Sequence, residues 1–105
     1  MSPPNLLFVF ADQWRLQSTG YFGTEGVRTP HIDRLCGESL NFVNAISGFP
    51  VCSPYRASLL TGQRALSHGV FINDTSLDPA ADSIGKALKK AGYATGYIGK
   101  WHVDG

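Results

Sequence analysis

Residues 6–11 read LLFVFA, and this unbroken apolar run predicts a buried β-strand over residues 5–11. Continuous apolar runs with β-branched and aromatic residues are typical of strands covered on both faces of a parallel sheet. The run is far shorter than the roughly 20 apolar residues of a membrane-spanning helix. Asp12 and Gln13 follow it directly. In open α/β sheets, bound molecules lie beyond the carboxyl ends of the strands, which is where these two residues fall.

Three helices are predicted from their start and stop signals. Each start has a proline at or near the first helical position, where its missing N–H costs nothing. Gly62 and Gly92 are expected just past the last two helices, because glycine readily adopts the left-handed conformation of a helix end. The three starts fall at Thr29-Pro30, Cys52-Ser53-Pro54 and Asp78-Pro79.

Two further strands are predicted, over residues 40–46 and 93–98, and residues 63–79 are expected to be polar and turn-rich. The order along the chain is then strand, helix, strand, helix, helix, strand. This alternation predicts an α/β fold in which helices cover the faces of a sheet.

Composition limits the classes of function. The chain has 105 residues, 43% hydrophobic and 16% charged, with a formal net charge of +1. This is an ordinary globular composition, and the scattered basic residues predict neither a nucleic-acid nor a membrane partner. Two cysteines are too few for a secreted disulfide scaffold. No basic leader precedes the first apolar run, so if Met1 is the true start we expect a cytoplasmic protein.

The residues with the strongest chemical signal are 52–62, which read CSPYRASLLTG. They place Cys52 at the start of a helix, where unpaired N–H groups carry partial positive charge, and Arg56 one turn further on. A guanidinium fork beside a helix start suits a tetrahedral oxyanion such as sulfate or phosphate. An ordinary helix end with a solvated arginine fits the same residues, and local physics alone leaves both interpretations open.

Two segments together carry a family resemblance. Residues 52–62 resemble the sulfatase signature, Cys-x-Pro-x-Arg with a trailing Thr-Gly, and residues 92–102, GYATGYIGKWH, resemble the second sulfatase signature. Residues 4–12 resemble the opening strand of that family and its first metal-binding aspartate. Residues 29–35, TPHIDRL, resemble its Thr-Pro-Asn-Ile-Asp-x-Leu helix, with His31 where asparagine is usual.

The resemblance implies a fold and a domain. The fold is alkaline-phosphatase-like, a mostly parallel sheet flanked by helices. Residues 1–105 would be the N-terminal part of a single, larger sulfatase catalytic domain. We therefore expect these 105 residues to be inactive alone, because typical members take further metal ligands, a histidine and a lysine from later segments.

The resemblance also implies roles for the site residues. A maturation enzyme would oxidise Cys52 to formylglycine. Asp12, Gln13 and the modified Cys52 would bind one Ca²⁺ or Mg²⁺, although many members carry a second aspartate at the position of Gln13. Lys100 would bind sulfate. His102 would contact the formylglycine and handle a proton.

The implied reaction is hydrolysis of a small-molecule or carbohydrate sulfate ester. One hydroxyl of the hydrated aldehyde would attack sulfur and expel the alcohol, while Arg56 holds the diol and Lys100 and the metal offset charge on the sulfuryl oxygens. His102 would assist loss of the second proton, which expels sulfate. Two alternatives remain at this point: a phosphonate or phosphodiester hydrolase of the same superfamily, and an inactive, anion-binding fragment.

Overall fold

The computed structural model describes residues 3–104. The chain forms two compact units, one up to Ala45 and the other from Ile46 onward. The first unit contains a short 3₁₀ turn, Leu16–Ser18, and helix α1, Pro30–Glu38. The second contains α2, Cys52–Thr61; α3, Ala65–His68; and α4, Ile84–Lys90. None of the helices within residues 3–104 has the length and apolar character needed to cross a membrane.

The first unit is organised around the carboxylate of Asp33 on α1. Its Oδ1 accepts hydrogen bonds from the Tyr21 N–H at 3.0 Å and from the Thr29 hydroxyl at 2.6 Å. The Thr29 hydroxyl in turn accepts from the Gly20 N–H at 2.7 Å. Thr29 is the N-cap residue of α1, as predicted, but its side chain makes no capping hydrogen bond. It joins the helix to the preceding loop instead.

The second unit has a small core of Ala57, Val70 and Val103, against which Leu60 and Leu77 pack. The Leu77 N–H donates to the Val103 carbonyl at 2.9 Å, which links the loop before α4 to the end of the chain. Helix α2 therefore has one apolar face toward residues that lie well downstream in the sequence.

Both predicted glycine stops are confirmed. Gly62, at a φ of 70°, is the C-cap of α2, and its N–H donates to the Ser58 carbonyl. Gly92, at a φ of 87°, follows α4. There the N–H groups of Gly92 and Tyr93 donate to the carbonyls of Lys89 and Leu88. These are the two hydrogen bonds of a Schellman motif, which satisfies the last carbonyls of the helix.

The predicted start of the third helix is wrong. Helix α4 begins at Ile84, with Ser83 as its N-cap and the Ser83 hydroxyl accepting from the Lys86 N–H. Asp78 instead accepts a hydrogen bond from the Ala80 N–H at 2.8 Å. Aspartate commonly forms such a local turn two residues on, and this turn competes with a helix start. The segment of residues 63–79, predicted to be polar and turn-rich, also contains the short helix α3, which was not predicted.

The three predicted strands are not present in the part of the chain described, so the helices of the α/β prediction are confirmed and its sheet is not shown. The apolar side chains of these segments are exposed: Leu7 by 91%, Ile46 by 91% and Ile98 by 101%. A strand is defined by hydrogen bonds to a neighbouring strand, and no such ladder forms among residues 3–104. The burial predicted from the apolar pattern is therefore not found within residues 3–104.

The Asp33 cluster makes Gly20 sensitive to substitution. A Cβ at position 20 would lie 2.3 Å from Asp33 Oδ2, and Asp33 is held by two hydrogen bonds. We expect Gly20→Ala to lower the free energy of unfolding by about 1–3 kcal/mol through steric overlap. Gly37→Ala is the control, because a Cβ there meets nothing within 4 Å. Thermal unfolding followed by circular dichroism compares them, and equal midpoints for the two variants would contradict the prediction.

Candidate active site

Cys52 is the first residue of α2, so it lies where the helix presents unpaired N–H groups. The N-cap residue, Val51, has no side-chain acceptor for these groups. The acceptor comes from a distant loop: Asn73 Oδ1 accepts from the Ser53 N–H at 3.0 Å. The start of α2 is therefore fixed by a residue outside the helix.

Lys100 reaches the same helix start. Its Nζ lies 3.5 Å from the Cys52 Sγ. The structure thus brings together two of the residues that the sequence singled out, although 48 positions separate them. An ammonium group beside the positive end of a helix makes this point strongly attractive to an anion.

Arg56 lies inside the second unit with only 4% of its surface exposed. Its Nη1 donates to the Tyr97 hydroxyl at 3.1 Å and to the backbone carbonyl of Lys100. The Tyr97 hydroxyl donates to that same carbonyl at 2.6 Å. This burial excludes a solvated arginine, which was one of the two interpretations of the sequence. Arg56 holds the backbone of the residue whose ammonium approaches Cys52.

Tyr97 is a residue that sequence reasoning missed. Its ring packs edge-on against Trp101, with the ring centroids 5.0 Å apart and the planes at 84°. This geometry is a favourable one for an aromatic pair. No local signal identifies Tyr97, because its hydroxyl is paired with an arginine 41 residues away.

His102 has one defined polar neighbour. Its Nε2 lies 3.3 Å from Asp74 Oδ1, and its Nδ1 is buried without a hydrogen-bond partner within the described residues. Asp74 was not predicted to belong to the site. The folded loop places Asp74 beside His102, and no sequence motif marks Asp74.

His68 connects α2 with α3. Its Nδ1 accepts from the Val70 N–H at 3.1 Å, and its Nε2 lies 2.9 Å from the Ser58 hydroxyl. An imidazole that accepts at Nδ1 carries its hydrogen on Nε2 and is neutral. Burial favours the same form, because it lowers the pKa of His68 below 6.5. The sequence assigned His68 no role, and the structure makes it a connector between the two helices.

Asp12 and Gln13, the predicted metal ligands, lie in the first unit and are exposed. Their oxygens are the donors that Ca²⁺ and Mg²⁺ prefer. Within residues 3–104, no three His, Cys, Asp or Glu side chains come close enough to hold a metal ion. The metal site of Asp12, Gln13 and Cys52 therefore stays a prediction.

Comparison with known proteins decides the family. The family model described as Sulfatase matches residues 4–105. The chain belongs to the sulfatase family. This sulfatase chain is 47% identical over 102 residues to an ulvan-active sulfatase from Formosa agariphila, a match that covers 97% of the chain and 20% of that protein.

Two further relatives agree. An N-acetylgalactosamine-6-O-sulfatase from Bacteroides thetaiotaomicron is 39% identical over 105 residues, covering 95% of the sulfatase chain and 20% of that protein. A crystal structure from Bacteroides fragilis, described as a sulfatase, matches with a TM-score of 0.91 and 44% identity, over 96% of the chain and 23% of its own. The chain thus spans about a fifth of the length of the curated relatives it matches.

The neutral His68 makes the sulfatase chain sensitive to acid. Its pKa is lowered in the folded state relative to 6.5, so below that value the unfolded chain binds more protons than the folded one. The contribution of His68 to stability is complete above about pH 6.5 and is lost as the pH falls below it. We expect the unfolding midpoint to fall more steeply between neutral and mildly acidic pH than it does in His68→Gln. Parallel pH profiles for the two proteins would refute this.

Proposed function

We propose that this chain supplies the nucleophile and part of the anion-binding group of an enzyme that hydrolyses sulfate esters. The observation that carries the proposal is the 3.5 Å approach of Lys100 Nζ to Cys52 Sγ at the start of α2. Membership of the sulfatase family and relatives named as sulfatases support it. Residues 1–105 would be the N-terminal part of one catalytic domain.

The nucleophile is proposed to derive from Cys52. Oxidation by a maturation enzyme would give a formylglycine, whose hydrated aldehyde supplies a hydroxyl for attack on sulfur. Residue 52 suits this role, because the N–H groups of the first helical turn are ready to stabilise negative charge beside it. Asn73 keeps the first turn in place through the Ser53 N–H.

Lys100 is proposed to bind the sulfuryl oxygens. Its ammonium is a compact positive charge, and it approaches residue 52 from a backbone that Arg56 and Tyr97 hold by its carbonyl. A charge fixed in this way needs little rearrangement when negative charge develops on the substrate. Arg56 contributes by fixing this geometry and, through the rest of its fork, by holding the diol.

His102 is proposed to accept the second proton of the diol, so that sulfate leaves and the aldehyde is restored. An imidazole suits this task because it can both accept and release a proton. The side chain of His102 is 29% exposed, so it is partly shielded from solvent.

A divalent cation, Ca²⁺ or Mg²⁺, is proposed to be bound by Asp12, Gln13 and the oxygen of residue 52. These residues offer oxygen atoms, which hard cations prefer. Such ions take about six to eight oxygens, so further residues or water molecules would complete the site. When bound, the cation would offset charge on the sulfuryl oxygens.

The proposed substrate is a sulfate ester of a carbohydrate or another small molecule. Two of the relatives are named for ulvan and for N-acetylgalactosamine 6-O-sulfate, which favours the carbohydrate. The proposed protein partner is the maturation enzyme that would modify Cys52.

The decisive test is the mass of the tryptic peptide from Leu35 to Arg56, taken from the complete protein after co-expression with a formylglycine-forming enzyme. We expect fragmentation to place an aldehyde at residue 52 and an unchanged thiol at Cys36, which serves as an internal control. We also expect multiple turnovers with an aryl sulfate. An unmodified Cys52 despite an active maturation enzyme, or a Cys52→Ser variant that turns over many times without being matured, would overturn the proposal.

The role of Lys100 is tested by Lys100→Met, which keeps the length of the side chain and removes its charge. We expect kcat for a sulfate ester to fall by about 100- to 1,000-fold, as on removal of one group that stabilises a developing oxyanion. Lys89→Met is the matched control, because Lys89 is exposed near the end of α4. Equal rates for the two variants would remove Lys100 from the site.

A further inference from the structure

The loop segment of residues 73–77 makes hydrogen bonds to both parts of the candidate site, the start of α2 and the segment that carries His102. At its start, Asn73 Oδ1 accepts from the Ser53 N–H beside Cys52 at 3.0 Å. At its end, the Leu77 N–H donates to the Val103 carbonyl beside His102 at 2.9 Å. Asp74 lies between these two attachments and faces His102. Its backbone is therefore held on both sides.

The backbones of Asp74 and His102 share an uncommon conformation. Asp74 has a φ of 62° and His102 a φ of 58°, and no other non-glycine residue among residues 3–104 has a positive φ. Aspartate and histidine tolerate this left-handed region better than most residues, but it still carries strain. Such strain persists where the surroundings hold it, and it is concentrated at functional sites. Here the two strained residues are each other's side-chain partners.

The contact distinguishes the two ring nitrogens of His102. Nε2 lies 3.3 Å from the Asp74 carboxylate, whereas Nδ1 is buried with no hydrogen-bond partner in the part of the chain described. A carboxylate only accepts hydrogen bonds, so a neutral imidazole beside it carries its hydrogen on Nε2. The lone pair is then on Nδ1. Nδ1 therefore keeps its lone pair, because no group among the described residues hydrogen-bonds to it.

We propose that Asp74 is a positioning residue, which holds His102 as the Nε2–H tautomer so that Nδ1 is the atom that takes the proton. The role of this tautomer in proton transfer rests on the proposed function. The tautomer itself can be observed independently of that function. Once His102 has taken the proton, the Asp74 carboxylate also stabilises the imidazolium by its charge. Asp74 itself touches neither substrate nor nucleophile.

A matched pair of substitutions separates the side chain of Asp74 from its backbone. Asparagine and glycine both tolerate a φ near 62°. Asp74→Asn keeps an oxygen that accepts from Nε2–H, whereas Asp74→Gly removes it. In the complete, matured protein we expect Asp74→Gly to lower kcat for an aryl sulfate by about 10- to 100-fold, as for other residues that orient an imidazole, with little change in KM. Asp74→Asn should keep the larger part of kcat.

A double-mutant cycle tests whether Asp74 acts through His102. In a His102→Gln background, Asp74→Gly should cost little further activity, because the group that it positions is already gone. If Asp74→Gly lowers kcat by the same factor with and without His102, its effect is structural and the inference is wrong.

The tautomer is measured directly by ¹⁵N NMR of histidine-labelled complete protein at neutral pH, with the His102 signals assigned from His102→Gln. We expect the hydrogen on Nε2 in the parent protein and in Asp74→Asn, and a mixture of tautomers in Asp74→Gly. An Nδ1–H tautomer in the parent protein would overturn the inference. If the parent protein hydrolyses no sulfate ester, the proposed function fails while this measurement still decides the role of Asp74.

Discussion

The backbone carbonyl of Lys100 receives two hydrogen bonds from groups of quite different origin. One comes from the guanidinium of Arg56, which is only 4% exposed, and the other from the hydroxyl of Tyr97. A buried cation must be satisfied by nearby acceptors, because its desolvation is otherwise costly. The arginine thus requires the chain to return to α2 at residue 100. The ammonium of Lys100 reaches Cys52 as a consequence of this return.

A second constraint acts at the start of α2. The helix begins with Cys52, and its N-cap, Val51, has no side-chain oxygen to accept from the first N–H groups. Asn73 supplies the acceptor. If a residue next to the helix capped it instead, the loop of residues 73–77 would lose its hydrogen bond to the start of α2. The use of a distant asparagine couples the position of Cys52 to the loop that carries Asp74, and through Asp74 to His102.

These couplings explain what the sequence could predict. Stops that depend on one residue, such as Gly62 and Gly92, were predicted correctly because a left-handed helix end needs only local conformational freedom. Cys52, Arg56, Lys100 and His102 were predicted as site residues through recurring signatures, and their roles stay predictions. Tyr97 and Asp74 were not found, because each acquires its partner only when segments 41 and 28 positions apart meet. The sheet is not shown within residues 3–104, and an apolar run does not by itself specify its pairing partner.

The backbone and the side chain of Lys100 have different roles. Its carbonyl serves the packing of the unit, because Arg56 and Tyr97 bind it regardless of which side chain residue 100 carries. Its ammonium approaches Cys52, where its proposed role is to bind the sulfuryl oxygens. In evolutionary terms the two duties can be separated. A descendant could replace Lys100 and lose the proposed role of its ammonium, while Arg56 and Tyr97 still bind the backbone carbonyl of residue 100. Loss of that role therefore need not destabilise the protein.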